Sequence, residues 1–315
     1  MDAATSGSAA AAVRPAVSAL IVTYQSQLCV QQCLASLRTE GPGLADVVVV
    51  DNGSSDATAS LVEAAGGGVR LVRTGANLGY AGAVNVGMAA IAPEHAVLVL
   101  NPDVRLDPGA VAVLLDRLGP DVGIAVPRLR GEDGALSLSL RRTPSAARVA
   151  AESLLGGRRA ARWGLGEIVG DARSYRSERD AEWATGAAWL VSPGCRSTVG
   201  PWDESYFLYS EETDYALRAH RHGLRLRFVP EATAVHVGGE SGTRPQLWAL
   251  LTRNRVREVH RRRGLGPAVI FAVALGAGEL LRAVRGSATH RAGLLALVRR
   301  RETVLRRAGA PAGTR

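Results

Sequence analysis

Three polar side chains stand directly after apolar runs that are typical of buried strands. They are Thr23, Asp51 and Asp103. Pro102 removes a backbone donor and favours a turn, so we expect Asp103 just past the carboxyl end of a central strand at 97–100. Ligands of open α/β sheets bind at that edge, and a carboxylate there can hold a divalent cation that in turn holds a diphosphate. The alternative is a strand that simply ends in a polar turn.

A second acidic group lies at the start of a predicted helix, with Ser210 as the expected N-cap. Glu211, Glu212 and Asp214 would occupy its first turn, where the helix dipole stabilises negative charge. Asp214 stands four residues before Arg218, so the two can pair on one helix face. This pairing ties Asp214 to structure and leaves Glu212 freer to face a cleft. The alternative is a capping and salt-bridge cluster without chemistry.

The elements that must position these residues alternate between strands and helices. This order predicts an α/β fold built on a mostly parallel, right-handed wound sheet flanked by helices. The spacing predicts strands at 17–24, 46–51, 69–72, 97–100, 122–127 and 226–230, and helices at 28–37 and 110–118. The periodicity weakens over 128–180, which we interpret as a variable insertion near a substrate site, partly helical and partly mobile. The alternative is that its arginines only solvate a loop.

The glycine pattern restricts the class of nucleotide site. No G-x-G-x-x-G follows the first strand and no G-x-x-x-x-G-K-[ST] is present, which disfavours dinucleotide folds and P-loop ATPases. A Gly-rich turn at 77–82, together with the carboxylates at the strand ends, would instead suit a nucleoside diphosphate. Helix capping by Asp51 and Asn52 and turn chemistry at Asn77 and Gly79 are the structural alternatives.

Three motifs together carry a resemblance to a known family. They are Asp51-Asn52-Gly53-Ser54-Ser55-Asp56, Asn77-Leu78-Gly79-Tyr80-Ala81-Gly82 followed by Asn85, and Asn101-Pro102-Asp103. The chain resembles the family 2 glycosyltransferases of the GT-A (Rossmann-like) fold over roughly residues 17–242. Within that family it is most similar to the bacterial rhamnosyltransferase-like branch.

The resemblance implies a donor site and a metal site. The third motif corresponds to the family's Asp-x-Asp element, which binds Mg²⁺ or Mn²⁺ and the diphosphate. Here Asn101 replaces the first Asp, which keeps one carbonyl acceptor but loses a charge. Asp103 is then the main metal ligand, and His236 matches a family histidine that helps bind the metal or the diphosphate. The implied donor-binding residues are Thr23, Tyr24, Asp51, Asn52, Asn77, Gly79, Asn85, Asn101, Asp103 and Gly186.

The resemblance also implies the catalytic residues and the reaction. Glu212 matches the general base position of a Glu-Glu-x-Asp motif that also contains Asp214, and Glu211 is the runner-up. We therefore expect an inverting, metal-assisted transfer of a sugar from a dTDP- or UDP-sugar to a saccharide or polyprenyl-linked acceptor. The sugar would be rhamnose, in cell-wall or surface polysaccharide synthesis.

Two other classes of function remain open at this stage. A nucleotidyltransferase acting on sugar phosphates would also use a parallel sheet and metal carboxylates, but it should have a Gly/Arg/Lys-rich triphosphate loop after its first strand. Residues 24–27 instead read Tyr-Gln-Ser-Gln. A non-catalytic, basic binding protein would keep the basic charge and would have no use for Glu212.

Charge divides the chain into two unlike parts. The net charge is +9, and the segment from residue 241 onward has 16 Arg against 3 Glu, a net of +13, which leaves about −4 for the rest. We predict a disordered tail at 1–14, a glycosyltransferase domain at 15–242 and a helical, basic C-terminal extension at 243–315. No recognised nucleic-acid motif accompanies the Arg runs, so we expect no nucleic-acid partner. The three cysteines show no disulfide framework, which favours a reducing, cytoplasmic location.

The extension contains one apolar run, at 267–278. We expect it to be too short to span a bilayer, which needs about 20 residues. With flanking Arg282 and Arg285, it is more typical of an interfacial helix on an anionic membrane surface at the inner face of the cell membrane. The competing interpretation is that this segment packs on the catalytic domain or forms a contact in a homo-oligomer.

Overall fold

A mixed β-sheet flanked by helices forms the body of the protein. The computed structural model describes residues 14–40, 43–238 and 244–298. In these ranges the strands are β1 (Val17–Thr23), β2 (Asp46–Asp51), β3 (Val69–Arg73), β4 (Ala96–Leu100), β5 (Val104–Leu106), β6 (Val122–Arg130), β7 (Leu140–Arg141), β8 (Arg179–Ala181), β9 (Trp183–Ala184), β10 (Ala188–Val191) and β11 (Arg225–His236). The main sheet has the order β3-β2-β1-β4-β10-β6-β11-β5, with β8 also paired to β11, and β7 pairs separately with β9.

The helices alternate with the strands in the first half of the chain and dominate its end. They are α1 (Val30–Arg38), α2 (Thr58–Ala65), α3 (Gly79–Ala89), α4 (Ala110–Leu115), α5 (Ala146–Leu155), α6 (Gly157–Arg162), α7 (Pro193–Val199), α8 (Glu211–Arg221), α9 (Pro245–Arg263), α10 (Leu265–Val284) and α11 (Ala288–Val298). The predicted α/β class is therefore confirmed. Helix α1 begins later and α4 ends earlier than the periodicity predicted, because apolar residues in the adjoining turns extend the pattern.

The sheet is buried on both faces, which explains its nearly continuous apolar strands. Every residue of β1 and of β4 is buried. Alternate residues of β1 enter opposite layers: Leu20 and Val22 join one core cluster, and Ala19 and Ile21 join the other. β1 to β4 are parallel, whereas β10 runs antiparallel to both of its neighbours.

The segment predicted as a variable insertion is ordered secondary structure. β6 continues to Arg130, beyond the expected end at residue 127, because its second half pairs with β11. Helices α5 and α6 follow, so the expectation of a partly helical segment is confirmed. This segment faces the C-terminal helices, and the Ser153 hydroxyl of α5 bonds to the Ala274 carbonyl of α10 at 3.4 Å.

One of the strands that the sequence prediction missed, β5, positions the site. β5 is three residues long and follows directly after Asp103. It pairs antiparallel with the end of β11, in a register that sets His236 opposite Val104. β11 reaches that position through a register shift between Val229 and Thr233, around Pro230. Such a shift bends a strand, and here it turns the end of β11 towards Asp103.

The C-terminal extension is helical, as predicted, but its apolar helix is longer than expected. α10 has 20 residues and is long and apolar enough, by length and composition, to cross a membrane. The prediction that this segment is too short to span a bilayer was wrong, because Glu279 and Arg282 turn toward the protein and the helix continues past them. The Glu279 carboxylate accepts from Trp248 Nε1 of α9 and contacts His290 Nδ1 of α11, both at 2.9 Å.

Some predictions concern residues outside the described ranges. These are the tail at 1–13, part of the turn after α1, the loop at 239–243 and the chain beyond residue 298. The proposed boundary at residue 242 lies in one of these segments and stays a prediction.

Candidate active site

Two strand ends bring the first pair of predicted site residues together. β1 and β2 are in register so that Thr23 lies beside Asp51, and the Thr23 hydroxyl donates to Asp51 Oδ1 at 3.3 Å. Both side chains are buried. Asp51 Oδ2 also accepts the backbone N–H of Ser54 at 3.2 Å, so this carboxylate stabilises the turn that follows β2. Tyr24, the next predicted residue, is exposed at the same edge.

The side chains of Asn52 and Asn77 shape the Gly-rich turn. Asn52 Nδ2 donates to Asn77 Oδ1 and to the Gly79 carbonyl, both at 3.1 Å, and Asn52 Oδ1 accepts from Leu78 N at 2.9 Å. Asn77 Oδ1 also accepts from Gly79 N at 2.9 Å. Turn chemistry therefore accounts for these asparagines in the structure, and their direct role in donor binding stays a prediction.

Gly79 is required where this turn meets a second one. Its φ is +80°, and a Cβ at this position would lie 2.4 Å from the carbonyl oxygen of Phe207. The neighbouring Tyr80 N donates to that same oxygen at 2.6 Å. The start of α3 is thus held against the segment that precedes α8.

Asn85 lies farther along α3 and binds a different segment of the chain. Its Nδ2 donates to the Trp202 carbonyl and to Glu204 Oε1, and its Oδ1 accepts from Trp202 N, all at 2.9 Å. Asn85 therefore holds residues 202–204 against α3, outside the cleft that contains the acidic pair. Its assignment as a donor-binding residue stays a prediction.

Asp103 and His236 meet at the end of the sheet. Their Oδ2 and Nε2 atoms are 3.4 Å apart, and each side chain keeps 21% of its surface exposed. The Val237 N–H also donates to the Asp103 carbonyl at 3.1 Å, which fixes the two chain segments to each other. A carboxylate beside an imidazole, both reachable from solvent, is a donor set that suits a divalent transition metal. Among the described residues no third His, Cys, Asp or Glu completes a metal cluster there, so further ligands would come from the diphosphate or water.

The acidic pair faces the same cleft from the start of α8. Glu211 is buried and Glu212 is half-buried, and the Oε2 atom of each is buried without a hydrogen-bond partner among the described residues. Gly186 lies beneath Glu212, since a Cβ built on it would stand 3.5 Å from the Glu212 Cβ. Ser210 occupies the N-cap position as predicted, but its φ is +73° and its side chain makes no capping bond. The capping prediction is wrong because the preceding turn is left-handed.

Burial changes the ionisation of both glutamates. It raises the pKa of Glu211 well above its usual range, and the neighbouring Glu212 carboxylate adds to this rise. Burial also raises the pKa of Glu212, although the nearby Arg141 guanidinium opposes the rise. The Arg141 guanidinium therefore favours the carboxylate form of Glu212, whereas the Glu212 carboxylate favours the protonated form of Glu211.

Asp214 makes the contact that the sequence predicted. Its Oδ2 is 2.7 Å from Arg218 Nε, and Arg218 also donates to the carbonyls of Val199 and Pro201. Through Arg218, Asp214 anchors α8 to the chain before it, and a catalytic role for Asp214 stays a prediction.

The cleft joins these groups and includes residues that the sequence analysis missed. It has a volume of about 720 Å³ and is lined by Asn101, Gly186, Glu211, Glu212 and His236 together with side chains from α5, α9, α10 and α11. The missed residues include Tyr80, Arg141 and Arg255. Burial, and then the carboxylates of Glu211, Glu212 and Asp103, raise the pKa of Tyr80, which places its hydroxyl among the acidic groups. Its position directly after Gly79 in the second motif was the available signal.

Comparison with known proteins identifies the family. The model of "Glycosyl transferase family 2" matches residues 18–181. An N-acetylglucosaminyl-diphospho-decaprenol L-rhamnosyltransferase of Mycobacterium tuberculosis is 34% identical over 230 residues, which cover 68% of this chain and 74% of that protein. The chain is a family 2 glycosyltransferase.

More distant comparisons agree with this fold. A low-salt glycan biosynthesis hexosyltransferase of Haloferax volcanii is 25% identical over 70% of this chain and 66% of that protein. A mannosyltransferase of Pyrobaculum calidifontis, solved with GDP-Man and Mn²⁺, superposes with a TM-score of 0.57 at 15% identity, over 91% of this chain and 87% of the other. That likeness supports the GT-A fold of this glycosyltransferase. Family membership also decides against the nucleotidyltransferase and the non-catalytic binding protein.

The contact between Gly79 and Phe207 can be tested by adding a methyl group. Gly79→Ala should destabilise the glycosyltransferase by about 1–3 kcal/mol more than Gly75→Ala, the usual cost of overpacking. Gly75 has a similar φ of +75° with nothing within 4 Å of its Cβ position, so it controls for backbone strain alone. Urea denaturation of the two variants measures the difference, and equal destabilisation would contradict the close packing of the two turns.

The raised pKa of Glu212 predicts a pH-dependent change in stability. A raised folded-state pKa means that the native protein loses stability as pH rises above the unfolded value of about 4.3. Glu212→Gln should therefore increase the melting temperature at pH 8 by on the order of 2 °C, as expected for roughly 1 kcal/mol. The gain should vanish near pH 4. Glu63→Gln, at an exposed ion pair with Arg73, should show no such gain, and calorimetry at both pH values would decide.

Proposed function

We propose that this glycosyltransferase transfers L-rhamnose from a nucleotide-diphosphate donor to a polyprenyl-diphosphate-linked N-acetylglucosamine in cell-wall polysaccharide synthesis. The supporting observation is the 34% identity to the mycobacterial L-rhamnosyltransferase over 68% of the chain. A dTDP-sugar is the first donor to test and a UDP-sugar the second.

The donor would lie along the carboxyl edge of the sheet. Thr23, Tyr24 and Asp51 stand at the ends of β1 and β2, where the nucleoside would fit. Asp103 and His236, 3.4 Å apart, would hold Mg²⁺ or Mn²⁺ with the diphosphate. When bound, such a cation supplies charge neutralisation for the departing diphosphate. Asn101 lines the same cleft and can contribute a carbonyl oxygen.

The acceptor would be activated from the opposite wall of the cleft. Glu212 presents a buried carboxylate oxygen with no partner among the described residues, which is the state expected of a base awaiting a substrate proton. It would take the proton of the acceptor hydroxyl as that oxygen bonds to the anomeric carbon. The bond from the anomeric carbon to the diphosphate oxygen breaks in the same displacement, which inverts the configuration. Glu211, with the more strongly raised pKa, would stay protonated beside it.

Transfer from labelled donors tests this proposal. With a synthetic lipid-linked N-acetylglucosamine, dTDP-rhamnose should yield product and the yield should depend on Mg²⁺ or Mn²⁺. Glu212→Gln should lower turnover by about 100-fold or more, the scale of general-base loss, while donor binding by calorimetry stays intact. Asp103→Ala should weaken donor binding and remove the benefit of added metal.

Matched variants outside the cleft serve as controls for this assay. Glu63→Gln and Asp116→Ala change exposed carboxylates that pair with Arg73 and Arg14, and both should keep normal transfer. Full wild-type activity in excess chelator would contradict the metal assignment. Near-normal turnover of Glu212→Gln would contradict Glu212 as the base and indicate Glu211 instead.

We further propose that α10 rests on the membrane that carries the acceptor. One side of α10 packs on the protein through buried Ala268, Phe271 and Leu275. The opposite side is exposed and wholly apolar, and its large residues are Leu265, Val269, Ile270, Val273, Leu280, Leu281 and Val284. An exposed apolar helix face bordered by cations is typical of interfacial helices, and Arg263 and Arg285 flank this one. Each Arg near an anionic leaflet contributes about 1 kcal/mol, screened by salt. The protein would therefore be peripheral on the inner membrane face.

Vesicle co-sedimentation tests the membrane contact. The protein should pellet with anionic vesicles at low salt and less so at high salt. The double variant Ile270→Gln/Val273→Gln should lose most of this binding, whereas Leu28→Gln, a change at an exposed leucine on the catalytic body, should not. Equal pelleting of the wild type and the double variant would rule out docking through α10.

A further inference from the structure

The turn that leads into the acidic pair has an unusual backbone. Phe207, Tyr209 and Ser210 have φ values of +64°, +69° and +73°. Residues with a Cβ seldom adopt the left-handed region, and three of them within four positions are costly unless neighbouring groups hold them. Because Glu211 and Glu212 follow immediately, the conformation of this turn fixes where their side chains point.

A single side chain of the C-terminal extension donates hydrogen bonds to the backbone carbonyls of this turn. Asn254, on α9, donates from Nδ2 to the carbonyl oxygens of Tyr206, Leu208 and Tyr209 at 2.7, 2.9 and 3.1 Å. Its side chain is almost completely buried. The left-handed residues turn these carbonyls toward one point, and the Asn254 amide occupies that point.

Other contacts fix α9 to the same segment. Arg257 donates to the Ser205 carbonyl, and Arg261 pairs with Asp203. The guanidinium carbons of both arginines lie over the Tyr206 ring, at 6.0 and 5.7 Å from its centroid. The Asn254 side chain is therefore held at a fixed place relative to the turn.

The turn connects the two sides of the proposed reaction. At one end, the Phe207 carbonyl accepts a hydrogen bond from Tyr80 N at 2.6 Å. Tyr80 belongs to the Gly-rich turn that we expect to bind the sugar donor. At the other end Ser210 leads into Glu211 and Glu212. A displacement of the turn would therefore move the base relative to the donor.

We propose that Asn254 is a positioning residue for the transfer reaction, which it serves by holding the left-handed turn so that Glu212 projects into the cleft. This inference rests on the function proposed above. It makes α9 a structural part of the active site, in addition to its place in the basic extension.

Kinetics of substituted proteins test the inference. Asn254→Ala should lower kcat by about 10-fold or more, because displacements near 1 Å at a reacting group can cost about 100-fold. The KM for the donor should change by less than about threefold, since the nucleotide edge of the sheet is not touched. Asn254→Asp should not restore kcat, because it keeps the size of the side chain and loses the donor hydrogens. Recovery of kcat in Asn254→Asp would show that packing alone matters and would overturn the proposal.

A matched control lies two residues away on the same helix. Thr252 is as deeply buried on α9, and within the described part of the chain its hydroxyl bonds only to the Trp248 carbonyl of the same helix, at 2.8 Å. Thr252→Val should keep kcat within about twofold of the wild type. If Thr252→Val lowers kcat as much as Asn254→Ala does, general disturbance of α9 explains the loss and the proposal fails.

A double-mutant cycle shows whether Asn254 acts through the base. Glu212→Gln/Asn254→Ala should be no slower than Glu212→Gln alone, since the base is already absent. If the two fold-losses in kcat multiply in the double variant, Asn254 acts independently of Glu212, and the proposal is overturned.

Amide hydrogen exchange supplies a readout that needs no substrate. Exchange over residues 206–212, and at the Tyr80 amide that donates to the Phe207 carbonyl, should be faster in Asn254→Ala than in the wild type or in Thr252→Val, with the rest of α3 and the sheet unchanged. Unchanged exchange over 206–212 would overturn the proposed restraint. This measurement judges the restraint even if the transfer reaction proposed above fails.

Discussion

The left-handed turn at 206–210 is the constraint on which the two walls of the cleft depend. Its backbone is held from three sides: by the start of α3 through Tyr80 N, by α8 that follows it, and by the Asn254 amide of α9. Polar contacts here replace the regular hydrogen bonds that a helix or strand would provide. Strained backbone of this kind persists only where several surrounding contacts hold it in place, and it is found most often at functional sites.

The Asp103–His236 pair depends on strand geometry instead. The turn at Asn101-Pro102 ends β4, and the short β5 then reverses the pairing so that the end of β11 returns to the same point. Two residues more than 130 positions apart thereby come within 3.4 Å. The sheet edge positions the pair proposed to bind a metal, whereas the acidic pair follows a turn that the extension restrains. The two halves of the site are thus built by different physical means.

Helix α10 has two unlike sides, one packed on the protein and one exposed. Its buried side carries Phe271 and Leu275 together with Glu279, whose carboxylate is shared by Trp248 and His290. Its other side exposes only apolar residues. The charged side chains of the helix bond to α5, α9 and α11, so the outward surface is free of charge and suits the proposed contact with lipid. Packing against the protein and docking on a membrane are therefore compatible interpretations of the same segment.

The sequence by itself determined the α/β class, the order of the first strands and helices and the family, because apolar periodicity, Gly-rich turns and Asn101-Pro102-Asp103 are local signals. It also predicted the Asp214–Arg218 pair, which needs only helical spacing. It could not find β5, the left-handed turn or the role of Asn254. β5 is three residues long and exists only through its pairing with β11. Phe207, Tyr209 and Ser210 are not residues that favour positive φ, so only tertiary contacts impose it. Tertiary structure likewise decided that Asn52 and Asn77 bond to each other, since hydrogen-bond partners distant in sequence leave no local pattern.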